Sequence, residues 1–192
     1  MSASTSAIAN VGVLESAAVR GFRGESLGLV RDWIVDLETG SLTGCVLDSG
    51  LIAAGARLAW GGSERCVHVW PHRPWAARRR PRSTTSEALL SSLVGLPIHS
   101  EPAARVGVAT TPTAFDSLGF VGGLLVDLTE ESLALQYVAL GKGALLGIFA
   151  GAPLIPWYSL RLSRDSRLDG AHLRTALTDA DISGLQVVGD GL

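Results

Sequence analysis

Two aspartates at matching places in a repeated segment are the first candidates for chemistry in this 192-residue chain. Asp36 lies in IVDLETG and Asp127 in LVDLTEE. Paired carboxylates can act as general acid and base or bind a cation. An Asp side chain also accepts hydrogen bonds from backbone N–H groups in a turn. We expect this turn role for both aspartates, because each one occupies its own copy of the repeat.

The histidines and cysteines do not match a known metal-binding motif. His68 and His72 have the spacing of helical zinc motifs, but Pro71 lies between them and the segment is predicted to be extended. Cys45 and Cys66 belong to no CxxC pair and have apolar neighbours. This pattern predicts buried free thiols, with a disulfide between them as the alternative. We therefore expect no metal and no other cofactor.

The glycine and serine patterns do not indicate catalysis either. Gly141-Lys142-Gly143 lacks the spacing and the following Ser or Thr of a phosphate-binding loop, so it is predicted to be a turn. No serine stands in a Gly-x-Ser-x-Gly elbow. The sequence thus predicts no catalytic residues and a protein that is not an enzyme.

The strongest charge feature is the segment PHRPWAARRRPRSTTS, which spans residues 71–86. Its arginines can bind phosphates of RNA or lipid headgroups, bind an acidic patch on a protein, or belong to a solvated linker. Its tryptophan can anchor an interface or pack on its own domain. The candidate partner-binding residues are Trp75, Arg78, Arg79, Arg80 and Arg82.

An internal repeat determines the expected architecture. Ser117–Leu133 matches Ser26–Leu42, 91 positions earlier, with nine identical residues in seventeen. A repeat of this long period indicates two copies of one small domain. Val94-Gly95-Leu96 is matched with Val11-Gly12-Val13, so about 8 extra residues are expected near Ala109–Asp116.

Short apolar runs separated by glycine turns predict many strands. In the first copy Leu29–Asp36 and Leu42–Leu47 form a hairpin around the Leu37–Gly40 turn. Further strands are expected within residues 11–22, 51–60, 65–70, 120–127, 133–140, 145–150 and 153–162. Helical turns are expected in 87–93, 171–177 and 178–181, the last capped by Thr178. Trp33 and Trp157 are predicted core residues, and Trp157 is taken as the counterpart of Trp70.

The repeated unit resembles the PRC-barrel family. The resemblance rests on the glycine-led strands GLVRDWIVD and GFVGGLLVD, the turn DLETG, the apolar return strand with the Gly-rich stretch after it, and the closing PLIPWYSLRL. The first copy ends differently, in VHVWP, and Glu131 replaces the turn glycine in the second. The resemblance implies small β-barrels that bind other proteins, as in the cytoplasmic part of the photosynthetic reaction-centre H subunit and in a ribosome-maturation factor.

The predicted fold is therefore mostly β, with two PRC-type barrels in tandem and short helices at the linker and C-terminus. The expected divisions are a flexible tail (1–10), barrel 1 (11–75), an Arg/Pro/Ser-rich linker (76–91), barrel 2 (92–163) and a C-terminal extension (164–192). Domains this small have thin cores, so we expect them to pack on each other or to form a homodimer.

The expected function is that of a non-catalytic assembly subunit with a protein partner. Following the resemblance, that partner is a membrane-bound photosynthetic reaction-centre complex; the alternative is a ribosome- or RNA-associated factor that uses the arginine linker. The net charge of −2 gives no general attraction to nucleic acid. The absence of a signal-peptide pattern and of a long apolar run predicts a cytoplasmic protein that reaches a membrane through its partner.

Overall fold

The computed structural model describes residues 8–54, 57–61, 64–70, 86–101, 116–128, 133–141, 151–163 and 171–185. Strands dominate these residues, which confirms the mostly-β class. The chain forms two compact units: unit 1 is Met1–Leu93 with Leu125–Gln136, and unit 2 is Val94–Leu124 with Tyr137–Leu192. Unit 1 therefore takes in residues that the sequence assigns to the second repeat.

The described strands fall into two successive sets of seven. The first set is β1 (Ile8–Asn10), β2 (Ala18–Gly21), β3 (Ser26–Asp36), β4 (Leu42–Leu47), β5 (Ile52–Ala54), β6 (Arg57–Gly61) and β7 (Cys66–Trp70). The second set is β8 (Glu87–Leu89), β9 (Pro97–Ser100), β10 (Asp116–Leu128), β11 (Leu133–Gly141), β12 (Leu154–Pro156), β13 (Leu160–Ser163) and β14 (His172–Thr175). The helical elements are 3₁₀ turns at Val11–Leu14, Leu90–Ser92 and Trp157–Ser159, and helix α1 at Asp179–Ser183.

The two sets build sheets of the same topology. One sheet has the order β5-β4-β3-β2-β7-β6, and the other has the order β12-β11-β10-β9-β14-β13. In each sheet the inner pair, β2 with β7 and β9 with β14, is parallel. The repeat seen in the sequence is therefore a repeat of strand order as well.

The closed barrels are not observed among the described residues. Each sheet is an open path there, and no pairing joins β5 to β6 or β12 to β13. The predicted strand at 145–150 and the arginine linker lie outside the described residues. The described part thus confirms the β-rich class and the repetition, while barrel closure stays a prediction.

Both copies place the same irregularity at the start of the long strand. In the β2–β3 pairing, the register shifts between Val19 and Arg20. In the β10–β9 pairing, it shifts between Ser117 and Gly119. The glycine at this bulge has φ +127° at Gly28 and φ +137° at Gly119. Only glycine adopts this conformation without strain, which explains why the two long strands both begin Ser-Leu-Gly.

The hydrogen bonds correct the sequence alignment of the first part of the repeats. The Val30 N–H donates to the Ala17 carbonyl at 2.9 Å, and the Val121 N–H donates to the Leu96 carbonyl at 2.8 Å. Because Val30 and Val121 are repeat equivalents, Ala17 corresponds to Leu96. The predicted match of Val11-Gly12-Val13 with Val94-Gly95-Leu96 was wrong. A short Val-Gly pattern carries too little information to fix a register.

The first strand of each set pairs with the long strand of the other set. Strand β1 is antiparallel to β10, with Ile8 opposite Asp127, and β8 is antiparallel to β3, with Glu87 opposite Asp36. The prediction that residues 1–10 form a flexible tail was therefore wrong for Ile8–Asn10. The helical turn expected at 87–93 is strand β8 followed by the 3₁₀ turn Leu90–Ser92. Backbone pairing along the long strands outweighs the weak local preference of these short segments.

The C-terminal part differs from the prediction in a similar way. Ala171–Leu177 was expected to be helical, but His172–Thr175 is strand β14, which pairs with β13 and β9. Strand β14 is the counterpart of β7, so Trp157, in the turn before β13, is not the counterpart of Trp70. The boundary predicted at 163 falls between two paired strands. The turn after Thr178 is confirmed as helix α1, with a capping box from Thr178 and Asp181.

Apolar strand residues form the core of each unit. Trp33 is 2% exposed in unit 1 and Trp157 is 4% exposed in unit 2, which confirms both as core residues. Leu14, the last residue of its 3₁₀ turn, and Leu93, which directly follows its own, are buried as well. Within the described residues, none of the helices is both long enough and apolar enough to cross a bilayer.

The bulge glycine of β10 gives a test of this register. A Cβ at Gly119 would lie 2.5 Å from the backbone oxygen of Gly141, whereas a Cβ at Gly151 (φ +78°) meets no atom within 4 Å. Gly119→Ala is expected to lower the free energy of unfolding by about 3 kcal/mol, against about 1 kcal/mol for Gly151→Ala. Urea denaturation of both variants measures the difference. Equal losses would contradict the assigned bulge.

Candidate functional site

The partner-binding residues predicted from the sequence lie outside the described residues. Trp75 and Arg78, Arg79, Arg80 and Arg82 all belong to the segment 71–85. Their proposed role stays a prediction. The described residues hold other candidate sites on the strands of both repeats.

Asp36 has the turn role that the sequence predicted. Its Oδ1 accepts hydrogen bonds from the Glu38 N–H at 3.0 Å, the Thr39 N–H at 2.9 Å and the Thr39 hydroxyl at 3.0 Å. Gly40 follows with φ +76°, and its N–H donates to the Asp36 carbonyl. The carboxylate therefore stabilises the β3–β4 turn through its hydrogen bonds to residues within it.

Asp127 occupies the same place in the second repeat with different surroundings. It is half-buried at the end of β10 and lies opposite Ile8 in the β1 pairing. None of the described residues donates a hydrogen bond to its Oδ1. The turn that follows, residues 129–132, lies outside the described residues, so the turn role of Asp127 stays a prediction.

Both cysteines are free and buried, as the first of the two sequence interpretations predicted. Burial raises the pKa of the Cys45 thiol to about 12, so this thiol stays protonated at neutral pH. Cys45 lies on β4 opposite Trp33 and behaves as a small apolar core residue. Cys66 lies in a different, polar environment.

Cys66 is the centre of a cluster with Glu64 and His68. The sulfur lies 3.3 Å from His68 Nε2, and the thiol donates to Glu64 Oε2 at 3.7 Å. All three potential ligand atoms lie within 4.8 Å of one another. Cys66 and His68 are two apart on β7, so they share one face of the strand, while Val67 and Val69 between and after them are buried on the other.

The neighbouring strands shape this Glu64–Cys66–His68 cluster. Arg20 lies beside His68 in the parallel β2–β7 pairing, and its guanidinium is 3.5 Å from Glu64 Oε2. On the other side of β7, Gly61 of strand β6 lies opposite Cys66. A Cβ at Gly61 would come within 3.1 Å of His68 Nε2 and 3.2 Å of the sulfur, so the glycine leaves room in front of both atoms.

The electrostatics of the cluster argue against a nucleophilic thiol. Burial, followed by the charge and the hydrogen bond of Glu64, raises the pKa of the Cys66 thiol, and Arg20 opposes this shift. A reactive cysteine needs a lowered pKa, because the thiolate is the nucleophile. Thiol, imidazole and carboxylate together are instead a set of donors that can hold a metal ion.

Sequence reasoning did not find this cluster. The sequence patterns relate His68 to His72, which lies outside the described residues, and Cys66 to Cys45, rather than His68 to Cys66. The available signal was the alternation Glu64-x-Cys66-x-His68 at a predicted strand, because alternate residues of a strand share a face. Arg20 could not be placed there without the parallel pairing of β2 and β7.

The equivalent place in the second repeat holds a different polar cluster. The β9–β14 register puts His172 where Cys66 lies and Arg174 where His68 lies, with His99 in the place of Arg20. The Arg174 Nε donates to His172 Nε2 at 3.1 Å, and the rings of His99 and His172 meet edge to face with centroids 5.5 Å apart. Burial, with the charges of His172 and Arg174, lowers the pKa of His99.

Among the large hydrophobic side chains of the described residues, Tyr158 is the most exposed, at 77%. It lies in the 3₁₀ turn between β12 and β13, next to the buried Trp157. The Ser159 hydroxyl donates to the Pro156 carbonyl at 2.7 Å, and Arg161 Nη1 donates to the Tyr158 carbonyl at 2.9 Å. The turn is therefore well fixed while its tyrosine faces solvent.

No protein-family model matches this chain, and no curated protein sequence matches it either. The resemblance to PRC barrels accordingly rests on the motifs quoted above and on nothing further.

Asp36 provides a test of the turn. Asp36→Ala removes an acceptor of three hydrogen bonds and is expected to lower the free energy of unfolding by about 2 kcal/mol. Asp36→Asn keeps an oxygen at the same place and is expected to cost less than about 1 kcal/mol. Chemical denaturation measures both. Equal effects would show that the carboxylate charge, rather than the acceptor geometry, stabilises the turn.

The lowered pKa of His99 predicts a pH dependence of stability. The unfolded chain takes up the proton near pH 6.5, the ordinary value, while the folded protein takes it up only at a lower pH. The free energy of unfolding should therefore fall as the pH drops below 6.5, and His99→Gln should reduce this fall. Urea unfolding at pH 7.5 and pH 5.5 compares the two proteins. The same fall in both would assign the effect to other groups.

Proposed function

We propose that this chain is a non-catalytic assembly subunit that binds a protein partner. The observation that carries the proposal is the fixed turn of unit 2, which holds Tyr158 out at 77% exposure beside the exposed Arg161. Tyrosine and arginine are enriched among the residues that dominate binding energy at protein interfaces. A tyrosine on a rigid turn also loses little conformational freedom on binding.

The neighbouring Trp157 explains why this turn can present a tyrosine. Its ring is 4% exposed and anchors the turn in the core, while Arg161 Nη1 also donates to the Leu160 carbonyl at 2.8 Å. Binding would thus need no rearrangement of the backbone. The arrangement suits a preformed docking surface better than a segment that folds on binding.

The partner is proposed from the resemblance to PRC barrels. Two such modules, closed as barrels, would dock on the cytoplasmic face of a membrane-bound photosynthetic reaction-centre complex, as the H-subunit domain does. The protein would then be cytoplasmic and peripheral to the membrane through its partner. Trp75 and the arginines at 78–80 and 82 would extend the contact, and a homodimer is a further proposed state.

The alternative function is a ribosome- or RNA-associated maturation factor. It depends on the arginine linker, which lies outside the described residues. No contact among the described residues favours it over protein binding.

Tyr158→Ala is expected to weaken partner binding by about 30-fold in Kd, as the loss of a central interface tyrosine does. The variant should keep the wild-type free energy of unfolding within about 0.5 kcal/mol, because the side chain is exposed. The measurement is binding of the purified chain to purified reaction-centre complex by surface plasmon resonance.

Two controls distinguish the outcomes. Phe22→Ala removes an exposed aromatic residue elsewhere, at 59% exposure, and should leave binding unchanged. Salt-dependent binding to RNA that is lost when the four linker arginines are replaced would favour the alternative function. Binding of neither complex nor RNA would end both proposals.

A further inference from the structure

We propose that Glu64, Cys66 and His68 form a binding site for a zinc-class divalent cation in the first repeat. The site is independent of the partner binding proposed above. It uses a thiolate sulfur, an imidazole nitrogen and a carboxylate oxygen, a donor set typical of zinc sites. Three protein ligands leave the fourth position for water or for a ligand from a bound molecule.

The distances fit a tetrahedral ion. Zinc–sulfur bonds of about 2.3 Å and zinc–nitrogen or zinc–oxygen bonds of about 2.0 Å place tetrahedral ligand atoms about 3.5 Å apart. The sulfur of Cys66 lies 3.3 Å from His68 Nε2 and 3.7 Å from Glu64 Oε2. All three ligand atoms lie within 4.8 Å of one another, so an ion can contact all of them after the side chains adjust.

Gly61 is a second, independent observation in favour of the site. A Cβ at this position would lie 3.1 Å from His68 Nε2 and 3.2 Å from the Cys66 sulfur. Any other residue would thus occupy the space in front of these two ligand atoms. The second repeat has Ser163 opposite His172 at the equivalent place, and Arg174 replaces His68. A cation site is therefore expected in the first repeat only.

Arg20 is the internal competitor of the cation. Its guanidinium is 3.5 Å from Glu64 Oε2, and both side chains are about half exposed, at 46% and 56%. An exposed ion pair of this kind is weak, so Glu64 can exchange Arg20 for a metal ion at little cost. The thiol proton is released to solvent when the sulfur binds the ion, so one proton leaves for each ion bound.

The test is titration of the purified full-length protein with Co²⁺ and Zn²⁺. One Co²⁺ per chain should give the thiolate-to-cobalt charge-transfer band and the visible bands of a tetrahedral ion, and Zn²⁺ should displace it. Cys66→Ala and Glu64→Gln should each weaken binding, by at least about 100-fold for the buried thiol. Arg20→Gln should strengthen binding several-fold, because it removes the cation that competes for Glu64.

Matched variants keep the result interpretable. Cys45→Ala removes the other buried thiol and should leave the cobalt spectrum and the zinc affinity unchanged. Glu64 is exposed, so Glu64→Gln tests the site even where Cys66→Ala does not fold. Absence of the charge-transfer band, a band that survives in Cys66→Ala, or zinc affinity unchanged by Glu64→Gln and Arg20→Gln would overturn the proposal.

Discussion

The backbone hydrogen-bonding requirement of the two long strands shapes this structure. An unpaired N–H or C=O in a buried strand is costly, so the buried part of β3 needs partners on its edges. Strand β4 covers one edge, and β2 covers only the start of the other. Further along this edge, the Ser16 N–H donates to the Val30 carbonyl, and β8 pairs with Ile34–Asp36. The same division recurs on β10, where β9 covers the start and β1 the end.

Polar side chains of β3 stabilise the connections near the end of this strand. Ser91, in the 3₁₀ turn after β8, donates from its N–H and its hydroxyl to the two oxygens of Asp32 on β3. Asp36 fixes the turn at the end of the same strand through its own acceptors. Charged and polar residues of β3 thus stabilise connections, whereas the Glu64–Cys66–His68 cluster and the cluster of His99, His172 and Arg174 lie along the parallel pairs β2–β7 and β9–β14.

The local features were predictable from the sequence, and the pairings were not. The β3–β4 hairpin follows from Asp36, Gly40 and the apolar run at Leu42–Leu47, since the turn chemistry is encoded in adjacent residues. Strands β1, β8 and β14 are too short for a periodic signal, and their partners are distant in sequence; Leu173 and Leu177 even mimicked a helical spacing. In the cluster at Cys66, the alternation of Glu64, Cys66 and His68 is visible in the sequence, whereas Arg20 and Gly61 reach it only through the pairings of two other strands.

Strands β1 and β8 each pair with the long strand of the other repeat, and this affects the order of folding during biosynthesis. Strand β1 is made well before β10, and Ile8 cannot pair until Asp127 has been made. The first repeat likewise lacks a cover for the end of β3 until Glu87–Leu89 emerges. Such long-range contacts close late, so we expect the two repeats to complete their folding together rather than one after the other.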